Sequence, residues 1–277
     1  MTFRSANLLV RGARRAAGLG DVAIVERRGL RWELELTETI DFSLFLTGRF
    51  QRETLTALVG LLREGDTLLD IGANVGAMAL PAARALGPNG KVVCFEPTAF
   101  GVRKLRRNLE LNPDLRDRVD IRQLELVGYP GEKVHGSLHA RWPLGRAEGR
   151  HAGHHGVEEG CAGATTSTLD DFLEGAGVSR VDAIKLDVDG HECGVLRGAR
   201  RTLARFRPRM VVELQPSTFD RPAPDRFEDM VDLLREAGYR LRDVVDNKPL
   251  PMDATELRRL IPGNSVRNAI AIPAEAA

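Results

Sequence analysis

Short apolar runs alternate along this chain with longer segments of helical periodicity. Thr67-Leu68-Leu69, Lys91–Phe95, Val119–Leu124, Val181–Leu186, Arg209–Leu214, Tyr239–Val244 and Val266–Ile272 read as strands. Between them Glu53–Glu64, Val75–Leu80, Ala99–Leu111, a segment through about Leu203, and Phe227–Ala237 read as helices, with Gly238 placed as a C-cap. Upstream, Val22–Val25 and Trp32–Leu36 flank Arg27-Arg28-Gly29 as a hairpin. Strand and helix in alternation predict an α/β fold, a mostly parallel sheet with helices on both faces. The pattern lapses from Arg141 to Gly163, which is rich in glycine and charge. A segment of that length predicts a lid, a binding loop or disorder. Ser167-Thr168-Leu169-Asp170 has the spacing of a capping box with Asp in the usual Glu position, so Asp170 is expected to cap a helix.

A length of 277 residues suits one such domain with a short extension. We place the extension, a basic helix and the hairpin, at residues 1–45 and the main domain at 46–277. The formal charge of +1 gives no footprint for duplex nucleic acid, and no nucleic-acid partner is expected. Cys94, Cys161 and Cys193 have neither zinc nor redox spacing, and their odd number suggests a reducing, cytoplasmic setting. No apolar run is long enough to span a bilayer. Residues 1–20 carry Arg4, Arg11, Arg14 and Arg15 and no acid. They read as a basic helix that caps the domain or touches an anionic surface, with a transit peptide as the alternative. A homo-oligomer is left open.

The chemistry concentrates at Asp70-Ile71-Gly72-Ala73-Asn74-Val75-Gly76. A strand, a glycine turn and a helix start bring backbone close to a ligand and favour an anionic group there. The acid at Asp70 would repel a pyrophosphate but suits an ammonium beside a carboxylate, as in the methionine part of S-adenosylmethionine. The spacing is Gly-x-x-x-Gly rather than Gly-x-Gly-x-x-Gly, which argues against a dinucleotide site. Glu96, at the end of the next strand, stands where an acid accepts hydrogen bonds from ribose hydroxyls. Asp70, Gly72, Ala73, Asn74, Gly76 and Glu96 are therefore the candidate cofactor residues.

Ligands of open α/β sheets bind beyond the carboxyl ends of the strands. Asp187 and Glu213 end two further strands, and Asp187-Val188-Asp189-Gly190-His191-Glu192 is the densest polar cluster at any of these ends. Methyl transfer to a hydroxyl needs close positioning and a base, or a metal that lowers the hydroxyl pKa. Asp187 and His191 are the candidate catalytic residues. Asp187, Asp189 and Glu213 are the candidate ligands of a hard divalent cation. Asp189 and Glu192 suit helix capping equally well, and Glu213 suits bonding to backbone amides. His151-Ala152-Gly153-His154-His155 invites a metal reading but has no obvious further ligand.

These residues resemble the FkbM-type S-adenosylmethionine-dependent methyltransferases. The likeness lies in Asp70–Gly76, Phe95-Glu96-Pro97, Asn108-Leu109-Glu110-Leu111-Asn112, Ser167–Asp170 and Ile184–Glu192, extended by Val195–Ala199 and Val211–Leu214. It implies a class I methyltransferase fold, a Rossmann-like sheet of six parallel strands and one antiparallel strand. It implies O-methylation of a hydroxyl on a small acceptor such as a sugar, polyketide or glycolipid. By motif, Asp70–Gly76 and Glu96 would bind the cofactor and Asp187 would sit near the methyl group. The chain departs from the family pattern at Asp189, where Glu is usual, and at Glu125, where a small residue is common. The competing readings are a methyltransferase of RNA or protein, and a silent cofactor-binding partner subunit. The Asn-Pro-Pro-Tyr signature of amino-methylating enzymes is absent.

Overall fold

The computed structural model describes residues 2–145, 156–220 and 225–276. In chain order its elements are α1 (Phe3–Ala16), β1 (Val22–Arg27), β2 (Leu30–Glu35), α2 (Thr39–Thr47), α3 (Arg52–Leu61), β3 (Thr67–Ile71), α4 (Ala79–Ala85), β4 (Lys91–Phe95) and α5 (Ala99–Glu110). There follow β5 (Val119–Arg122), β6 (Leu124–Leu126), β7 (Ser137–Arg141), β8 (Val157–Gly160), β9 (Thr165–Ser167), α6 (Leu169–Gly175), β10 (Ala183–Leu186), α7 (Glu192–Arg197) and α8 (Arg200–Phe206). The chain closes with β11 (Arg209–Leu214), α9 (Phe227–Glu236), β12 (Tyr239–Asp243), β13 (Pro249–Leu250), α10 (Ala254–Leu260) and β14 (Arg267–Pro273).

The main sheet runs β13-β12-β14-β11-β10-β3-β4-β5. β11, β10, β3, β4 and β5 pair in parallel, and β14 inserts antiparallel between β11 and β12. The expected set of seven strands with one reversed is present. The two-residue β13 adds an eighth strand at the edge, antiparallel to β12. Alternation along the strands divides the core in two. Leu69, Ile71, Val93, Phe95, Met210 and Val212 face one cluster, completed by α6 to α10. Leu68, Val92, Cys94 and Val211 face the other, with Leu58, Leu80, Leu105 and the hairpin residues Trp32 and Leu34. Burial on both faces explains why these strands are apolar nearly throughout. All three cysteines are buried and free. No described helix is long and apolar enough to cross a membrane.

The hairpin forms as its sequence suggests, with Arg28 and Gly29 both at positive φ in the two-residue turn. The basic helix α1 is held to it by a two-pronged Arg11–Asp21 pair, at 2.8 and 2.7 Å. The outward N–H groups of β2 meet no strand. Those of Arg31, Glu33 and Glu35 donate to Asn112 Oδ1 (2.9 Å), Asn108 Oδ1 (2.9 Å) and Asp41 Oδ2 (2.6 Å). Both asparagines of the Asn108–Asn112 motif thus serve as substitute strand partners.

Several expected elements differ. The helix expected from Val75 begins at Ala79, because residues 72–78 spend a longer turn wrapping the site. The third strand breaks at Gln123, and β6 leaves the main sheet to pair with β9. The helix after β10 is two helices, α7 and α8. Thr168, not Ser167, caps α6 by accepting from Asp171 N. Asp170 accepts from the backbone of Arg201 and Thr202 and so caps α8 instead (2.8 and 2.7 Å). The lapse in periodicity is not one long loop. Arg141 ends β7, which pairs antiparallel with β8. Arg141 straps this ribbon to Glu38 at 2.7 Å and ties β7 to β8 through Glu159 at 3.2 Å. Residues 146–155 of this segment, with the histidines at 151, 154 and 155, lie outside the described residues.

Candidate functional site

The chain leaves β3 toward β4 and β5 on one side, then returns to β10 and β11 on the other. The crevice opens where the two directions part, beyond the carboxyl ends of β3 and β10. A cavity of about 610 Å³ lies there. Gly72, Ala73, Asn74, Glu96, Asp187, Asp189, His191 and Glu213 all line it. The residues singled out from sequence therefore converge, apart from Asp70 and Gly76.

Asp70 is placed apart from the others. It is expected to face the ligand, yet it lies wholly buried within β3 and does not line the cavity. Its register partner in β10 is Lys185, whose Nζ stands 3.5 Å from Asp70 Oδ1 and 3.5 Å from Asp187 Oδ2. Among the described residues neither Asp70 oxygen makes a hydrogen bond. Burial pushes the Asp70 carboxyl upward, while Lys185 opposes the shift. Lys185 itself is buried and lines the cavity. It donates to the carbonyls of Gly72 at 2.7 Å and Ile71 at 3.3 Å. Burial alone would lower its ammonium, but Asp187, Asp70 and Glu213 outweigh that and hold it above its usual range. Lysine in a run such as Ala183–Leu186 is ordinarily a strand-end residue. Its position opposite Asp70 is visible only once the strands are paired.

Both glycines of the turn are also closely packed. Gly72 is at φ +80, and a Cβ there would lie 1.9 Å from the carbonyl oxygen of Asp187. Gly76, at φ +87, would press its Cβ to 2.4 Å from Leu105 Cδ1. At Gly72 the obstructing atom is backbone, at Gly76 the end of a leucine side chain, and Gly76 itself does not line the cavity although its neighbours Val75 and Ala77 do. Gly72, Ala73, Asn74 and Val75 all line the cavity.

Glu96 is positioned by three donors. Its Oε2 accepts from Asn74 N (2.9 Å), and its Oε1 accepts from Thr98 N (2.9 Å) and Thr98 Oγ1 (2.5 Å). Thr98 also caps α5 by accepting from Gly101 N. Gly101 lets that helix pass close by, since a Cβ there would be 2.7 Å from Glu96 Cδ. Burial pushes the Glu96 carboxyl upward, against these hydrogen bonds. Thr98 and Gly101 are positioning residues that sequence reading missed.

At the other wall, Asp187 follows β10 with its side chain 24% exposed, open to a ligand. Asp189 adopts φ +52, rare for a non-glycine residue, and Gly190 follows at φ +100. Glu192 shapes this bend by accepting from Val188 N and Gly190 N, both at 3.0 Å, in the structural role expected of it. Burial pushes its carboxyl up to about 7, although its backbone hydrogen bonds oppose the shift. Glu213 is driven well above the carboxylate range by burial first, then by Asp187, Asp189 and Glu192. Asp187, Asp189 and Glu213 share one wall. The described trio whose metal-binding atoms gather within 4.8 Å is a different one, Glu125, His135 and His191. From the N-terminal part, Thr39, Ile40 and Phe50 complete the lining, with Trp142 after β7.

The methyltransferase FkbM domain family matches residues 70–241 of this chain. The chain is 30% identical over 162 residues to 2-O-methyltransferase NoeI of Sinorhizobium fredii, a match over 54% of this chain and 64% of that protein. It is 26% identical over 243 residues to AMB antimetabolite synthetase AmbE of Pseudomonas aeruginosa, covering 75% of this chain and 11% of that protein. It thus spans less than two thirds of the length of both relatives. The crystal structure of methyltransferase FkbM from Methylobacillus flagellatus superimposes with a TM-score of 0.47 at 15% identity, covering 81% of this chain and 48% of that one. With the family match extending over more than half its length, the chain belongs to the methyltransferase FkbM domain family.

Proposed function

We propose that this chain is an S-adenosylmethionine-dependent O-methyltransferase acting on a hydroxyl of a small molecule, such as a sugar, polyketide or glycolipid. The observation that carries the reading is one cavity bordered by the Gly72–Val75 turn, Glu96 and Asp187. A volume of about 610 Å³ falls within the range of small-molecule sites. The residues fit the cofactor: Glu96 offers acceptor oxygens suited to ribose hydroxyls, and the Asp187–Glu213 wall suits a cationic group. When bound, the cofactor supplies an electrophilic methyl group. The match to a protein named as a 2-O-methyltransferase favours a hydroxyl acceptor.

In this reading Asp187 takes the proton of the acceptor hydroxyl. Lys185, 3.5 Å from Asp187 Oδ2, holds that carboxylate at the cavity wall. His191 lines the same wall as a second candidate for proton transfer. Trp142 and Phe50 add apolar surface to the same cavity. Asp187, Asp189 and Glu213 would hold a hard divalent cation, if turnover requires one.

The test begins with calorimetry using S-adenosylhomocysteine, then a panel of hydroxylated acceptors. Wild-type protein should bind the cofactor product and methylate a member of the panel. Asp187→Asn should keep cofactor affinity and lose roughly 10²–10⁴ in turnover, the worth of a positioned acid–base group. Loss of wild-type activity with chelator, restored by Mg²⁺, assigns Asp187 to the metal rather than to direct base catalysis. Absence of cofactor binding overturns the reading. Binding without turnover across the panel favours a silent partner subunit.

A further inference from the structure

Glu125, where a small residue is common in the family, does not line the large cavity. Its side chain is 8% exposed, and among the described residues no lysine or arginine pairs with it. Its partner is His135, whose backbone N–H donates to Glu125 Oε2 at 2.9 Å and whose Nδ1 lies against Glu125 Oε1. The ring of His191 stands edge-on to that of His135, with centroids 4.7 Å apart. One ligand atom from each of Glu125, His135 and His191 falls within 4.8 Å of the others. The three come from separate places in the chain: β6, the segment before β7, and the N-cap of α7.

We propose that Glu125, His135 and His191 form a binding site for a borderline divalent cation of the Zn²⁺ class. Two imidazoles and one carboxylate are the donor set that such ions favour, whereas Mg²⁺ and Ca²⁺ favour all-oxygen sets. Ligand bonds of about 2.0–2.2 Å place tetrahedral donors roughly 3.3 Å apart. The half-exposed His135 is free of the core and can swing to meet that geometry. The cation takes the place of the contact between His135 Nδ1 and Glu125 Oε1, and gives the buried carboxylate a full counter-charge. It ties three segments together at the rim of the large cavity, which His191 also lines. With its imidazole committed to the cation, His191 positions the rim, and proton transfer falls to Asp187. The inference stands on this cluster's geometry and does not depend on the methyl-transfer reading.

The test uses untagged, metal-stripped full-length protein, titrated with Zn²⁺ by calorimetry and with Co²⁺ by visible absorption. One equivalent of Zn²⁺ should bind, Mg²⁺ should not compete, and bound Co²⁺ should show the spectrum of nitrogen and oxygen ligation. Glu125→Gln and His135→Ala should each weaken Zn²⁺ binding by at least the roughly 10–100-fold that losing even an outer-shell partner costs. Zn²⁺ should raise the melting temperature of wild type and not that of His135→Ala, a readout that also shows whether the variant is folded. Replacing His151, His154 and His155 together with alanine should leave binding intact. Wild-type protein that binds no Zn²⁺ overturns the proposal. So does binding that survives His135→Ala and disappears with the His151, His154 and His155 replacements.

Discussion

Replacing Gly72 with alanine separates two accounts of the glycine turn. If the residue is glycine so that a ligand can approach, Gly72→Ala should fold normally and lose cofactor affinity. The structure argues for a different cost. The new Cβ would sit 1.9 Å from Asp187 O and 3.3 Å from Val188 Cγ1, at a φ of +80. A left-handed conformation costs an L-residue about 1–2 kcal/mol. Overpacking adds about 1–3 kcal/mol, toward the upper end here because the obstructing atom is backbone. Asp187 cannot yield cheaply, since its N–H donates to Ile71 O across the β3–β10 seam at 3.3 Å. The sum is about 2–5 kcal/mol, a large share of the roughly 5–15 kcal/mol that holds a typical fold. For a chain of this size the melting temperature should drop by about 4–20 °C. Gly131→Ala is the control, because Gly131 has a similar φ of +87 and nothing within 4 Å of its Cβ position. It should cost only the conformational part, about 1–2 kcal/mol. Urea unfolding of wild type and both variants measures the difference. Gly72→Ala no more destabilised than Gly131→Ala would refute the packing account.

Two further perturbations address the buried charges. Glu192 carries its proton in the folded protein up to about pH 7 but releases it near 4.5 when unfolded, so its contribution to stability is full below 4.5 and lost as pH rises to about 7. The loss is on the order of 3 kcal/mol, and urea unfolding between pH 4 and 8 should show a flatter profile for Glu192→Gln; parallel profiles would remove Glu192 as the cause. Lys185→Met leaves Asp70 and Asp187 without their shared cation and should cost about 3–5 kcal/mol, part of which Asp70→Asn restores in the double variant. Additive effects of the two changes, measured by chemical denaturation, would show that the pair does not interact.

Sequence periodicity located the sheet well because its central strands are buried on both faces and their apolar runs have clear ends. Glu96 and Asp187 were found by the same route, since a strand end in such a sheet is also a position in the crevice. What escaped was set by contacts across the chain. Lys185 looks like any strand lysine until β10 is laid against β3 and brings it opposite Asp70. Gly72 carries the right residue for a reason invisible locally, the passage of Asp187 O beside it. Ser167 and Thr168 are equivalent as cap residues, and only the path from β9 decided for Thr168. β7 and β8 are too polar to announce themselves, because they form a ribbon that gives the core Ala140 alone among its residues. Glu125 and His191 lie 66 positions apart, beyond the reach of any spacing rule; the one local signal was an acid where the family is usually small.

The three side-chain acceptors along β2 stand in for a missing neighbour strand. An open strand edge is a template for pairing with another molecule, and proteins commonly blunt it with lysine, proline or a bulge. Here the row is quenched by Asn108, Asn112 and Asp41, which arrive on α5, just beyond it, and on α2. The protection is therefore borrowed, and lasts only while those segments stay docked. When α5 lifts, the N–H groups of Arg31 and Glu33 lose their acceptors together, while that of Glu35 stays with Asp41 on α2. The colloidal behaviour of the chain then depends on how often α5 opens locally, rather than on how seldom the whole domain unfolds.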